Sequence, residues 1–296
     1  MILIKEAGER IRAGELVAFP TETVYGLGAN ALDATAVAKI YELKGRPPTS
    51  PLIVHVASIE MARTLVTEWP PEADQLARKY WPGPLTLVLP KTSAIPDIVT
   101  ASLPTVGLRV PNHPLALALI REAGVPLAAP SANRFTGLSP TTAEHVREAF
   151  GNAVPVLDGG HCRVGIESTV LSIRSGKVTL LRPGMISIED VASASAPAAN
   201  TAHPAPGMHH RHYSPRTPLV LSNAPDTRGA YLWINHPADA ARCIQMPSMP
   251  ESYAAQLYSV LHDLDREAWP VICVEPPPNT VEWAAVLDRL QRASSQ

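Results

Sequence analysis

Short apolar runs alternate with stretches of helical period through the first two thirds of the chain. ELVAFP (15–20), PLIVHV (51–56), LTLVLP (85–90), VGLRVP (106–111) and PLAAP (126–130) read as buried strands bounded by polar or Pro-containing turns. Between them, DATAVAKIYELK (33–44) spaces Val37, Ile40 and Tyr41 on one face, with Asp33 placed to cap it. Residues 59–80 have a helical pattern that Trp69-Pro70-Pro71 interrupts. PLALALIREAG (114–124) carries Pro early and Gly at its end, and TTAEHVREAFG (141–151) is a capped helix. ESTVLSIRSGKVTLLRPG (167–184) alternates and turns at Ser175-Gly176, a hairpin. Strands alternating with helices predict an α/β sheet, and the hairpin makes it a mixed one.

The pattern breaks at residues 191–217. This segment has no Asp or Glu and is rich in Pro, Ala and His, the composition of a linker. A smaller unit follows, with LVLS, YLWI and VICVE (271–275) as strands and helices near 252–267 and over 283–293. The expected organisation is an α/β domain over 1–190, a linker over 191–217 and a small α/β domain over 218–296. No internal repeat relates the two units.

Composition narrows the function. Net charge is −2, from 25 basic and 27 acidic residues, without the basic excess expected of a free-standing nucleic-acid binder. The cysteines, Cys162, Cys243 and Cys273, are scattered and form no C-x-x-C, which argues against a disulfide framework or zinc knuckle. Cys243 and Cys273 read as small buried apolar side chains. Lys5, Glu6, Glu9 and Arg10 occupy the place of a leader's apolar core, and no window reaches membrane-span length. A cytoplasmic protein with no membrane partner is expected.

Walker A, H-E-x-x-H and G-x-S-x-G motifs are absent, and Gly26-Leu27-Gly28 lacks the third glycine of a dinucleotide fingerprint. Four polar segments sit at strand ends instead. PTETVYGLG (20–28) puts hydroxyls and a carboxylate where open α/β sheets bind ligands, though a capped turn explains it equally. KGRPPTSPL (44–52) holds Lys44 and Arg46 around a glycine, suited to a polyphosphate or to a solvated helix end. APSAN (129–133) offers Ser131 and Asn133 at alternate positions, or a local turn. GIESTV (165–170) and LLRPG (180–184) bring Ser168 and Arg182 onto the hairpin. Together, with Arg46, Arg109 and Arg182 near strand termini, they suggest an anion-binding cleft. His203, His209, His210 and His212 could bind a metal, but no Cys, Asp or Glu accompanies them.

These segments, with WPGPLTLVLP and VGLRVPNHP, resemble the YrdC-like superfamily. PGMHHRHYSP followed by a small domain containing DRLQRA is similar to the long, two-domain form of L-threonylcarbamoyladenylate synthase. The resemblance departs near the DRL segment, where Val281-Glu282-Trp283 replaces a Gly-rich approach.

The resemblance implies a twisted mixed sheet with a concave basic cleft. It implies condensation of L-threonine, bicarbonate and ATP to L-threonylcarbamoyladenylate and pyrophosphate. A downstream threonylcarbamoyl-transferase complex would pass the group to tRNA beside the anticodon, making tRNA an indirect partner. Mg²⁺ would come with ATP, held mainly by its phosphates and by no dedicated protein ligands. By the same resemblance Lys44, Arg46, Ser131 and Asn133 form a catalytic, phosphate-binding tetrad. Ser139 and Arg182 would contact the nucleotide; Thr21, His55, Arg109 and Ser168 would contact threonine. Tyr213, in the linker, is expected to close over the nucleotide as part of a lid. The alternative is an RNA-binding module of the same fold without synthase activity.

Overall fold

The computed structural model describes residues 2–186 and 212–295. The linker expectation therefore falls mostly outside the described residues, although its end, from His212 on, is within them.

The first unit contains β1 (Val17–Phe19), β2 (Gly26–Asn30), β3 (Ile53–His55), β4 (Leu85–Pro90), β5 (Thr105–Arg109), β6 (Leu127–Ala128), β7 (Thr169–Arg174) and β8 (Lys177–Arg182). They form one sheet in the order β1-β2-β6-β3-β5-β4-β7-β8. β3/β5 and β4/β7 are parallel pairs, and β1/β2, β2/β6, β3/β6, β4/β5 and β7/β8 are antiparallel, so the sheet is mixed. Its helices are α1 (Ile4–Arg12), α2 (Ala34–Lys44), α3 (Ile59–Arg63), α4 (Pro71–Tyr80), α5 (Asp97–Thr100), α6 (Pro114–Ala123) and α7 (Ala143–Phe150). The stretch over 59–80 is split into α3 and α4, with Pro71 opening α4, because proline lacks the N–H an interior turn needs.

Local chemistry sets the elements that matter for the site. Asp33 caps α2 by accepting from the Thr35 and Ala36 N–H groups at 2.9 and 3.2 Å. Gly45 ends the helix at φ 64°, a left-handed conformation that glycine adopts without steric cost, and the chain turns so that Arg46 points inward. In β2, a Cβ on Gly28 would lie 2.8 Å from the Phe19 ring, so the close β1/β2 approach requires glycine there.

The second unit contains β9 (Leu219–Leu221), β10 (Ala230–Trp233), β11 (Arg242–Gln245), α8 (Pro250–Glu267), β12 (Ile272–Val274) and α9 (Ala284–Ser294). Its sheet runs β11-β10-β12-β9, all parallel. Cys273 is buried as expected; Cys243 is not, because β11 is an edge strand and leaves it exposed.

The two units share a core. Val24, Leu138 and Ile166 of the first pack in one cluster with Tyr213, Leu219, Tyr253, Leu257, Tyr258 and Leu290. No helix among the described residues is long and apolar enough to cross a membrane.

Candidate active site

A cleft opens at the ends of β3, β5 and β8 and the starts of β2 and β7, taking in about 550 Å³, open solvent at its mouth included. Sheet register assembles it. The parallel β3/β5 pairing sets His55 beside Arg109. A bridge between Gly26 and Ser131 joins the segments around residues 20–28 and 130–133. The Ser168 and Thr86 hydroxyls share a 2.8 Å hydrogen bond, and Arg182 Nη2 donates to Ser168 Oγ at 3.2 Å. Thr21, His55, Arg109 and Ser168 all line this cleft, as do Arg46, Ser131, Arg182 and Tyr213.

Three expected residues lie behind the wall. Lys44 is buried, and its Nζ donates to the carbonyls of Ser131 and Asn133 at 2.7 and 2.5 Å. Asn133 Nδ2 donates to the carbonyls of Arg134 and Gly137, both at 2.8 Å, bracing the loop that follows. Ser139 is fully buried, with its hydroxyl donated to Glu167 Oε1 at 2.5 Å. In this structure these groups shape the loops that carry the wall.

The electrostatics follow from burial. Desolvation, with the nearby Arg46, holds Lys44 well below the ordinary lysine range. Arg46 is lowered to about 10, first by burial. His55 is pushed to about 3 by burial and then by Arg109, so its imidazole is neutral near pH 7. Arg109 Nη2 lies 2.8 Å from Glu22 Oε2, a buried ion pair, and its Nε donates to the Gly83 carbonyl at 3.2 Å. Two buried donors on this cleft's residues, Arg46 Nε and Tyr213 Oη, have no hydrogen-bond partner in the protein. Buried polar atoms are almost always paired, so their convergence marks a ligand surface.

Tyr213 lies in the described end of the segment expected to be a linker. The Ser214 N–H donates to the Thr136 carbonyl at 2.9 Å and fixes the segment to the loop braced by Asn133. Tyr213 is buried at φ 60°, uncommon for a bulky residue, and its ring faces the cleft.

The carboxylate expected in PTETVYGLG is Glu22, placed behind the cleft against Arg109, whereas Glu167, beside Ser168 in a segment already singled out, was missed as a participant. His212 lines the cleft, and the described residues contain no His, Cys, Asp and Glu cluster able to hold a metal.

A mixed sheet bears a cleft lined by three arginines, hydroxyls and a neutral imidazole, a small-molecule site whose chemistry suits an anionic ligand. Residues 9–184 match the family described as "Telomere recombination", and residues 184–295 match "Threonylcarbamoyl-AMP synthase, C-terminal domain". A threonylcarbamoyl-AMP synthase of Pyrococcus abyssi is 40% identical, covering 98% of this chain and 94% of the relative. One from Bacillus subtilis is 41% identical, over 98% and 92%. The crystal structure of P. abyssi Sua5 complexed with L-threonine superposes with a TM-score of 0.92 at 39% identity, over 98% of this chain and 94% of that one. The chain belongs to the threonylcarbamoyl-AMP synthase family, in its two-domain form. It is an enzyme of nucleotidyltransferase type rather than an RNA-binding module of the same fold.

Proposed function

We propose that this cleft joins L-threonine, bicarbonate and ATP into L-threonylcarbamoyladenylate with release of pyrophosphate. The supporting observation is the convergence of unpartnered buried donors with three arginines on one cleft. Arg109, held by Glu22, is suited to the threonine carboxylate, with Thr21 and Ser168 beside it. His55, kept neutral, can exchange a hydrogen bond with the substrate without adding charge. Arg46, Ser131 and Arg182 would meet the nucleotide, while Lys44, Asn133 and Ser139 hold the loops that present them.

The threonine amine and bicarbonate form a carbamate with loss of water, and a carbamate oxygen attacks the α-phosphorus as the α–β phosphoanhydride bond breaks and pyrophosphate leaves. No protein nucleophile is required. The chain's part is to align the reactants, neutralise developing charge and exclude water. Both carboxylates at the site, Glu22 and Glu167, are engaged by arginines, a donor set that fits a magnesium ion carried by the triphosphate and neutralising its charge. In this reading Tyr213 closes the cleft over a product that water would destroy, and its release hands the group to a complex acting on tRNA in the cytoplasm.

Pyrophosphate release should depend on both threonine and bicarbonate, and mass analysis should find the threonylcarbamoyl adenylate. Orthophosphate release with no AMP-containing product would overturn the reading.

A further inference from the structure

The wall of the cleft is completed from the second unit. Glu167, 7% exposed, lines the cleft next to Ser168. Both its oxygens are occupied. Ser139 Oγ donates to Oε1 at 2.5 Å, Tyr258 Oη of α8 donates to Oε2 at 3.1 Å, and Arg289 Nε of α9 donates to Oε2 at 2.8 Å. Arg289 has a side-chain exposure of 0%, and it spans more than this pair. Nη2 donates to the Glu167 carbonyl at 3.2 Å, and Nη1 to the Pro183 carbonyl and Asp288 Oδ2 at 2.8 and 2.9 Å. Glu167 lies just before β7 and Pro183 just after β8, so one guanidinium ties the start of the first hairpin arm to the end of the second, where Ser168 and Arg182 sit. Its Cζ also lies 5.4 Å from the centre of the Tyr213 ring.

We propose that Arg289, on the last helix, is a positioning residue for the nucleotide: it cancels the Glu167 carboxylate at the cleft wall and holds the Tyr213 ring over the site. This rests on the reading of the cleft as an ATP site. An unneutralised carboxylate at that wall would repel a triphosphate, and its burial would leave it poorly screened by water. Burial alone would lower Arg289; Tyr213, Glu167 and Asp288 around it outweigh that and raise it, so the guanidinium stays charged throughout the working range. A purely structural clamp would need only the apolar core shared by the units. The fork onto a carboxylate and two carbonyls, with an aromatic ring on its face, is a geometry lysine cannot copy.

The test uses the full chain, with ATP binding measured by calorimetry and steady-state KM measured for ATP and threonine separately. Arg289→Met should weaken ATP tenfold or more and leave the threonine KM within about twofold, because threonine lies toward Arg109. Adding Glu167→Gln should restore most of the ATP affinity by removing the unpaired charge. Arg289→Lys should fall between, and serves in place of Arg289→Met should that variant fail to fold. A lowered melting temperature with unchanged ATP affinity, or equal weakening of ATP and threonine, would overturn the proposal. So would failure of Glu167→Gln to suppress the defect. An unaltered chain that binds ATP without forming the adenylate would sink the proposed reaction, while the selective loss in Arg289→Met would still support the role of Arg289 in binding.

Discussion

At the scale of single residues, groups that line the cleft are distinct from groups that brace its wall from behind. Arg46 carries an unpartnered Nε and a Nη2 anchored to the Pro51 carbonyl at 3.1 Å. Its planar fork is preset, so Arg46→Lys should cost about 1.5–3 kcal/mol of transition-state binding, or roughly 10- to 150-fold in kcat/KM for ATP. A folded lysine variant with wild-type kcat/KM would remove Arg46 from the reaction. Tyr213→Ala should act differently. With the ring gone, the adenylate is exposed to water, and ATP consumed per adenylate recovered should rise several-fold. Product counting against ATP loss checks this, and an unchanged ratio would rule out the closing role.

At the scale of elements, α7 and α8 meet through two stacked imidazoles, His145 and His262, with ring centroids 3.8 Å apart and planes at 13°. His145 Nδ1 accepts from the Thr141 N–H at 3.3 Å, and His262 Nε2 faces the Ser139 carbonyl at 3.2 Å. His145 also faces Arg266 and His161, and His262 faces Glu148, Asp265 and Arg266. Burial pushes His145 to about 3 and lowers His262. The native chain thus refuses protons that the unfolded chain takes up near pH 6.5. Stability is intact above that pH and is lost as pH falls from about 6.5 toward 3, at up to about 1.4 kcal/mol per pH unit for each histidine. His55 adds to the same window. Replacing His145 and His262 by Gln should therefore reduce, without abolishing, the fall in melting temperature between pH 6.5 and 4; an unchanged slope would show that the pair does not resist protonation. Most elements were legible from apolar period and capping residues, as in α2 with Asp33 and Gly45. β2 was not, because Gly26-Leu27-Gly28 has no strand propensity and is selected by the approach of Phe19. α1 was read only as charge, although Ile4, Ala7, Gly8 and Ile11 fall at i, i+3, i+4 and i+7 and so carry the helical period. The cleft was legible wherever its residues sat in compact polar segments after strands. Arg289 was visible only as part of the DRLQRA segment; its role was not, because its partner Glu167 lies 122 residues away on another unit.

At the scale of the whole molecule, the units are bound by a shared apolar core and a buried ion pair. A chain ending at residue 186 would leave Val24, Leu138 and Ile166 without their cover. It should bind a hydrophobic dye and melt well below the full chain, and equal melting would count against the shared core. The same feature has a consequence for the ribosome. The first unit emerges and folds before α9 exists, and at about 5–20 residues per second the 122 residues from Glu167 to Arg289 take roughly 6–24 s to add. During that interval the nascent chain presents an uncovered apolar face and a carboxylate with no guanidinium opposite it. Chains stalled before residue 289 should accordingly engage chaperones and fail to retain ATP, whereas chains stalled on an added C-terminal extension that carries α9 clear of the exit tunnel should do neither; binding activity would switch on only once α9 docks.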